Sequence, residues 1–173
     1  MDKNFSRRQF IGIGAAAATA TVLLSCDSKK TKDLNIPPLL EQAPDGPLLK
    51  AGVIGCGGRG TGAAINYLNA GPNVEIVALG DVFQDRIDGC REKLKQEKGV
   101  EIGNEKCFVG FDAFKKVIES GVDVVILATP PHFRPEHFAA AIDAKKHVFM
   151  EKPLAVDPVG IRSVLSTARR AKE

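Results

Sequence analysis

A doubly wound α/β fold with a parallel sheet is the class this 173-residue sequence predicts, on three observations. Short apolar runs alternate with longer amphipathic segments, the first run ends in a glycine-rich turn that opens a helix, and the apolar run 122–128 reads as a strand buried on both faces. With 44% hydrophobic and 26% charged residues, the composition is that of a soluble globular protein with room for one domain of ordinary size.

The chain opens on a leader, residues 1–26. Arg7 and Arg8 precede a mild apolar run, 11–24, that is shorter than the roughly 20 residues a membrane-spanning helix needs. Ser6-Arg7-Arg8-Gln9-Phe10-Ile11 resembles the twin-arginine export motif, with an ordinary secretory leader as the alternative reading. Leu23-Leu24-Ser25-Cys26 resembles a lipobox, which would leave a lipid anchor on Cys26. Together these predict a periplasmic protein, or one anchored facing the periplasm, that meets the twin-arginine machinery. Residues 27–47 carry Pro37, Pro38, Pro44 and Pro47 and have linker composition. Setting aside Asp2, Lys3, Arg7 and Arg8, the 24 basic and 21 acidic residues become 21 and 20, a balance that points away from nucleic acid. The four cysteines have no C-x-x-C spacing, so neither a zinc site nor a redox pair is indicated and no metal is expected.

Residues 48–173 are the predicted cofactor-binding domain. The apolar run 48–54 leads into Gly55-Cys56-Gly57-Gly58-Arg59-Gly60 and then into a helix over 61–68. In a strand–turn–helix of this kind Gly55 permits the tight turn, Gly57 lets backbone approach a pyrophosphate, and Gly60 lets helix and strand pack closely. The helix N-terminus faces the phosphates. A second strand, 74–79, runs into Gly80 and Asp81, and Asp81 follows Gly60 by 21 residues, the place for a carboxylate that accepts hydrogen bonds from the adenosine ribose. Its charge repels a 2′-phosphate, so NAD is favoured over NADP. Arg86, one helical turn on, is expected to pair with acidic neighbours.

The remaining elements alternate. A charged helix is predicted over 85–96, a strand over 107–109, a helix over 111–120 capped by Asp112, the buried strand 122–128, a helix over 135–145, a strand over 147–150, and a last helix over 158–172 capped by Asp157. His132 and His137 are five residues apart around a helix start, which suits loop or cap roles better than a metal pair. His147 is expected to serve packing.

At Ala128-Thr129-Pro130-Pro131-His132 and Glu151-Lys152-Pro153 the sequence resembles the glucose-fructose oxidoreductase, inositol dehydrogenase and MocA family, from residue 48 to the end. The resemblance implies a Rossmann NAD(P)-binding domain. Thr129 and Pro130 would line the nicotinamide ribose, Lys152 would be the catalytic residue at the nicotinamide and substrate hydroxyl, and Glu151 would help hold it. The Lys152-Pro153 bond is expected to be cis. The cofactor-binding candidates are therefore Gly55, Gly57, Gly58, Arg59, Gly60 and Asp81, joined by Thr129, Pro130, His132, Glu151 and Lys152. Two departures stand out: Arg134 replaces the histidine of T-P-x-x-x-H and is available for a substrate anion, and Lys145 replaces a glycine after a helix. The resemblance further implies a homo-oligomer whose chain continues into a sixth strand and a second domain, so that these residues form the front part of a longer protein. Three functions stay open: a dehydrogenase acting on a sugar or polyol, an NAD-dependent glycosidase that oxidises and re-reduces its sugar, and a non-catalytic dinucleotide- or sugar-binding module. Export favours the first two with NAD held tightly and restored in each cycle, because little NAD is available outside the cytoplasm.

Overall fold

The computed structural model describes residues 46–172, and the leader features at Ser6, Arg7, Arg8 and Cys26 lie outside them. Five strands form one parallel sheet: β1 (Leu49–Ile54), β2 (Val74–Asp81), β3 (Cys107–Val109), β4 (Val124–Leu127) and β5 (His147–Met150). Their spatial order is β3-β2-β1-β4-β5. The helices are α1 (Gly58–Leu68), α2 (Gln84–Lys98), α3 (Ala113–Glu119), α4 (Arg134–Asp143) and α5 (Pro158–Arg170), with a short 3-10 turn at Asn104–Lys106. The order reverses at β1, which lies between β2 and β4, so the loops leaving β1 and β4 part company and open a crevice at the carboxyl end of the sheet.

Over β1, β2 and β4 both faces of the sheet are covered, as their apolar runs require. On one face Ala51, Val53, Ile76 and Leu79 meet Ala64 of α1 and Ile87, Cys90 and Leu94 of α2. On the other, Ile54, Ala78, Val125 and Leu127 meet Phe114 and Val117 of α3 and Ala141 of α4. Burying a Val, Leu or Ile side chain contributes about 1.5–3 kcal/mol, so these two layers fix the positions of the strand ends. Among the described residues no helix is long and apolar enough to cross a membrane.

Several expectations shift. α1 begins at Gly58 and not at residue 61, and β2 runs on through Gly80 and Asp81, because β3 pairs Gly80 with Phe108 and Asp81 with Val109. Asp112 does not cap α3. Its backbone is helical (φ −89°, ψ −2°), which turns the carboxylate away from the helix N–H groups, and it pairs with Lys116 at 2.8 Å. Asp157, with extended backbone, does cap α5, accepting from Gly160 N at 2.6 Å. Lys145 keeps the left-handed conformation of the glycine it replaces (φ 56°), a cost of about 1 kcal/mol. His147 is exposed and not packed, since β5 is an edge of the sheet and nothing described lies beyond it. Cys56, Cys90 and Cys107 are free thiols.

Candidate dinucleotide site

The glycine turn is held from three sides. Gly55 N donates to Gly80 O at 2.8 Å, Ala128 N donates to Ile54 O at 2.8 Å, and Thr61 N donates to Gly57 O at 2.9 Å. Gly55 has φ +93°, which a residue with a side chain adopts only with strain. A Cβ on Gly60 would fall 1.8 Å from the carbonyl oxygen of Gly55, so only glycine lets α1 close onto the turn. On Gly57 a Cβ would meet nothing within 4 Å. The two positions have opposite meanings: Gly60 is closed by protein, and Gly57 fronts empty space at the N-terminus of an 11-residue helix, the arrangement that receives phosphates.

Asp81 stands at the end of β2 with both carboxylate oxygens engaged. Oδ2 accepts from Cys56 N at 2.7 Å and Oδ1 from Phe83 N at 3.0 Å. The residue expected to meet a ribose therefore also ties the glycine turn to the loop after β2. Each carboxylate oxygen has a second lone-pair direction, so these bonds leave acceptor capacity for hydroxyls. Arg86 pairs with Asp85 at a loose 3.8 Å, both side chains being largely exposed. Contacts of that kind contribute little.

A cleft of about 570 Å³ opens between these loops and those after β3 and β4. Gly55, Gly57, Asp81, Thr129 and Pro130 line it, as do Arg86, Phe83, Phe111, Phe114 and Phe133. The phenylalanines were not anticipated. Phe83, Phe111 and Phe133 sit in the loops that follow β2, β3 and β4, so an aromatic residue shortly after each strand end was the available signal. Phe111 is 72% and Phe83 63% exposed, and the Phe111 and Phe133 rings lie 6.2 Å apart, a geometry that offers a flat base an apolar enclosure. His137 is buried, stacks on Phe114 at 4.1 Å and faces Thr129 Oγ1 at 3.4 Å. Burial pushes its pKa down to about 4, so at neutral pH it is an uncharged ring beside Thr129.

The other candidates lie at the exits of β4 and β5. His132 is exposed and touches only the edge of Phe133, at 5.2 Å between ring centres, and it does not line the cleft. The Lys152-Pro153 bond is cis, as expected, and Lys152 is exposed directly after β5. Glu151 is 4% exposed, and its charge partner is Arg59 of the glycine turn, whose Nη2 lies 2.5 Å from Oε1. Oε1 nevertheless has no aligned donor, so this is an ion pair without a directed hydrogen bond. Arg59, followed by burial's opposing pull and the Lys152 backbone N–H, leaves the Glu151 carboxyl below its ordinary range.

Arg134 corrects an expectation. It is 5% exposed and not free for a substrate anion. Its Nε donates to Thr129 O at 2.6 Å, and its Nη1 donates to Glu151 O at 2.6 Å and to Pro153 O at 2.5 Å. Burial pushes its pKa down and Glu151 opposes that shift, while guanidinium chemistry keeps it charged.

The residues present fit a dinucleotide. The open space in front of Gly57 at the start of α1 suits phosphates, and the Asp81 carboxylate, engaged once at each oxygen, keeps a lone pair on each for ribose hydroxyls. Comparison with known proteins agrees. Residues 49–173 match the description "Oxidoreductase family, NAD-binding Rossmann fold". A myo-inositol 2-dehydrogenase of Thermotoga maritima is 30% identical over 71% of this chain and 34% of its own length. A glycosyl hydrolase family 109 protein of Bacteroides fragilis is 29% identical over 73% of this chain and 27% of its own length. The chain thus spans about a third or less of these relatives. A scyllo-inositol dehydrogenase of Lactobacillus casei, solved with NAD(H) and scyllo-inositol, superposes with a TM-score of 0.57 at 27% identity, over 72% of this chain and 34% of that one. On the match over residues 49–173 and on the geometry that accompanies it, the chain belongs to the Gfo/Idh/MocA oxidoreductase family, whose domain of this kind binds NAD in a Rossmann fold.

Proposed function

We propose that the protein is an NAD-dependent oxidoreductase acting on a CH–OH group of a sugar or polyol, exported with its NAD in place. The observation that supports the reading is that the glycine turn, Asp81 and Lys152 all lie at or just after strand ends at the carboxyl edge of one parallel sheet. Gly57, the start of α1 and Asp81 would hold the pyrophosphate and adenosine ribose, with Thr129 and Pro130 beside them. NAD, when bound, supplies the hydride acceptor. Lys152 presents an amine with donors for the substrate hydroxyl, favouring the alkoxide character that develops as the C–H bond breaks. Asp81 disfavours a 2′-phosphate, so NAD is preferred to NADP.

The relatives include dehydrogenases and family 109 glycosidases at nearly equal identity, which supports a second reading in which one sugar is oxidised, loses its substituent and is reduced again. Both readings suit an exported protein, lipid-anchored at Cys26 or free in the periplasm, whose NAD returns to its starting state in each turnover. The test uses the full-length protein from the periplasmic fraction. Bound nucleotide is assayed after long dialysis, and sugars, polyols and aryl glycosides are then supplied. Retained NAD with aryl release and no accumulating NADH selects the glycosidase; hydride exchange between two sugars selects the oxidoreductase. A protein that emerges empty and makes free NADH from added NAD overturns the retained-cofactor reading.

A further inference from the structure

The loops that leave β4 and β5 are joined by one buried side chain. Arg134, the first residue of α4, reaches back to Thr129 O and across to Glu151 O and Pro153 O, the carbonyls on either side of Lys152. A guanidinium is a rigid planar fork of five donors. Gripping the Glu151 carbonyl fixes the peptide plane that enters Lys152, and gripping the Pro153 carbonyl anchors the chain one residue beyond it, so the lysine Cα is held between two fixed points. Thr129 is fixed by the same fork, so the spacing between the two loops is set by one rigid group. Lysine, with a single flexible ammonium, cannot reproduce three in-plane bonds.

We propose that Arg134 is a positioning residue for Lys152, holding it in register with the Thr129-Pro130 loop. The inference rests on the reading of Lys152 as the group at the substrate hydroxyl, and it concerns backbone geometry and not substrate binding. It also gives a buried cation a reason to stand where the family pattern has histidine.

The test uses the full-length protein with Arg134→Lys, Arg134→Gln, Lys152→Met and the two double variants, each first checked for native melting behaviour. Amide hydrogen exchange without substrate reads the clamp alone. Losing one or two charge-assisted bonds is expected to speed exchange over residues 151–155 by about tenfold or more, with α1 and α2 unchanged. In turnover, Arg134→Lys should lower kcat by about ten- to a hundredfold and shift the substrate KM by less than about threefold, the signature of lost transition-state alignment. In the Lys152→Met background the same change should cost less than about threefold further, because the residue it positions is gone. Full additivity of the two losses, or unchanged exchange over residues 151–155, overturns the proposal. If Arg134→Lys does not fold, Arg134→Gln carries the same comparison with the same expectations. A Lys152→Met protein as active as the parent overturns instead the role given to Lys152, and the positioning role with it, whatever the exchange shows.

Discussion

The two ends of the crevice are built by opposite means. At the β1–β2 end, backbone sets the shape: glycines bring α1 onto the turn, and the Asp81 carboxylate secures it by accepting from Cys56 N and Phe83 N. At the β4–β5 end, side chains from elsewhere hold the loops: Arg134 gathers three carbonyls, and Arg59 reaches over to Glu151. The glycine turn takes its shape from consecutive residues, 55–60, and is then anchored to Gly80 O and Asp81, whereas the second end has no such local shape and is assembled by single side chains that reach its carbonyls and carboxylate. The difference teaches that a local motif tolerates little change in its backbone, whereas an end assembled by charges is sensitive to protonation and to the loss of single side chains.

The largest effect should come from the most crowded glycine. Gly60→Ala places a Cβ against Gly55 O and is expected to cost about 3 kcal/mol or more, read as a lower denaturation midpoint. Gly57→Ala meets nothing and should change stability by less than about 0.5 kcal/mol, yet weaken NAD binding by about tenfold or more as its methyl enters the phosphate space. Equal destabilisation by both would erase the distinction between a closed glycine and an open one.

The β4–β5 end should show itself in acid. His137 has a native pKa of about 4 against an ordinary 6.5, so the unfolded chain binds the extra proton first as pH falls. The stability due to its neutral form is complete above about pH 6.5 and is lost progressively down to about pH 4, by as much as about 3 kcal/mol. Glu151, whose carboxyl is held low by Arg59, adds a loss of the same sign below its ordinary range. His137→Phe, which keeps the stack on Phe114, should flatten the dependence between pH 6.5 and 4 in denaturant melts. A slope that persists in the variant would assign it to other groups.

Asp81→Ala should act more modestly on binding. It removes the bridge across the turn and the ribose acceptor, weakening NAD by about tenfold, the equivalent of one hydrogen bond to a charged group. NADP should lose less, so the ratio between the cofactors narrows. Unchanged affinity for both would move the ribose contact elsewhere.

How much of this was legible follows from the same contrast. The glycine turn, the position of Asp81, the five strands and the capping of α5 by Asp157 were readable because each leaves a local pattern: glycine spacing, a carboxylate at a strand end, an apolar run, or an Asp before a helix start. Asp112 failed as a cap because its own φ and ψ, which the sequence does not reveal, turned it away. Arg134 was misjudged as a free cation, since only the folded chain brings Glu151 O and Pro153 O within its reach. The aromatic wall escaped notice for a related reason: Phe83, Phe111 and Phe133 belong to three loops, and only the parallel sheet puts those loops at one edge.

The most direct test is a calorimetric titration of the full-length protein, freed of carried-over nucleotide, with NAD and with NADP. Saturable binding of one NAD per chain is predicted, with NADP weaker by about tenfold or more through repulsion at Asp81. Gly57→Ala should weaken NAD by about tenfold or more while melting as the parent does. No NAD binding by the folded parent, or equal binding of the two nucleotides that survives Gly57→Ala, would contradict the placement of the dinucleotide between the glycine turn and Asp81.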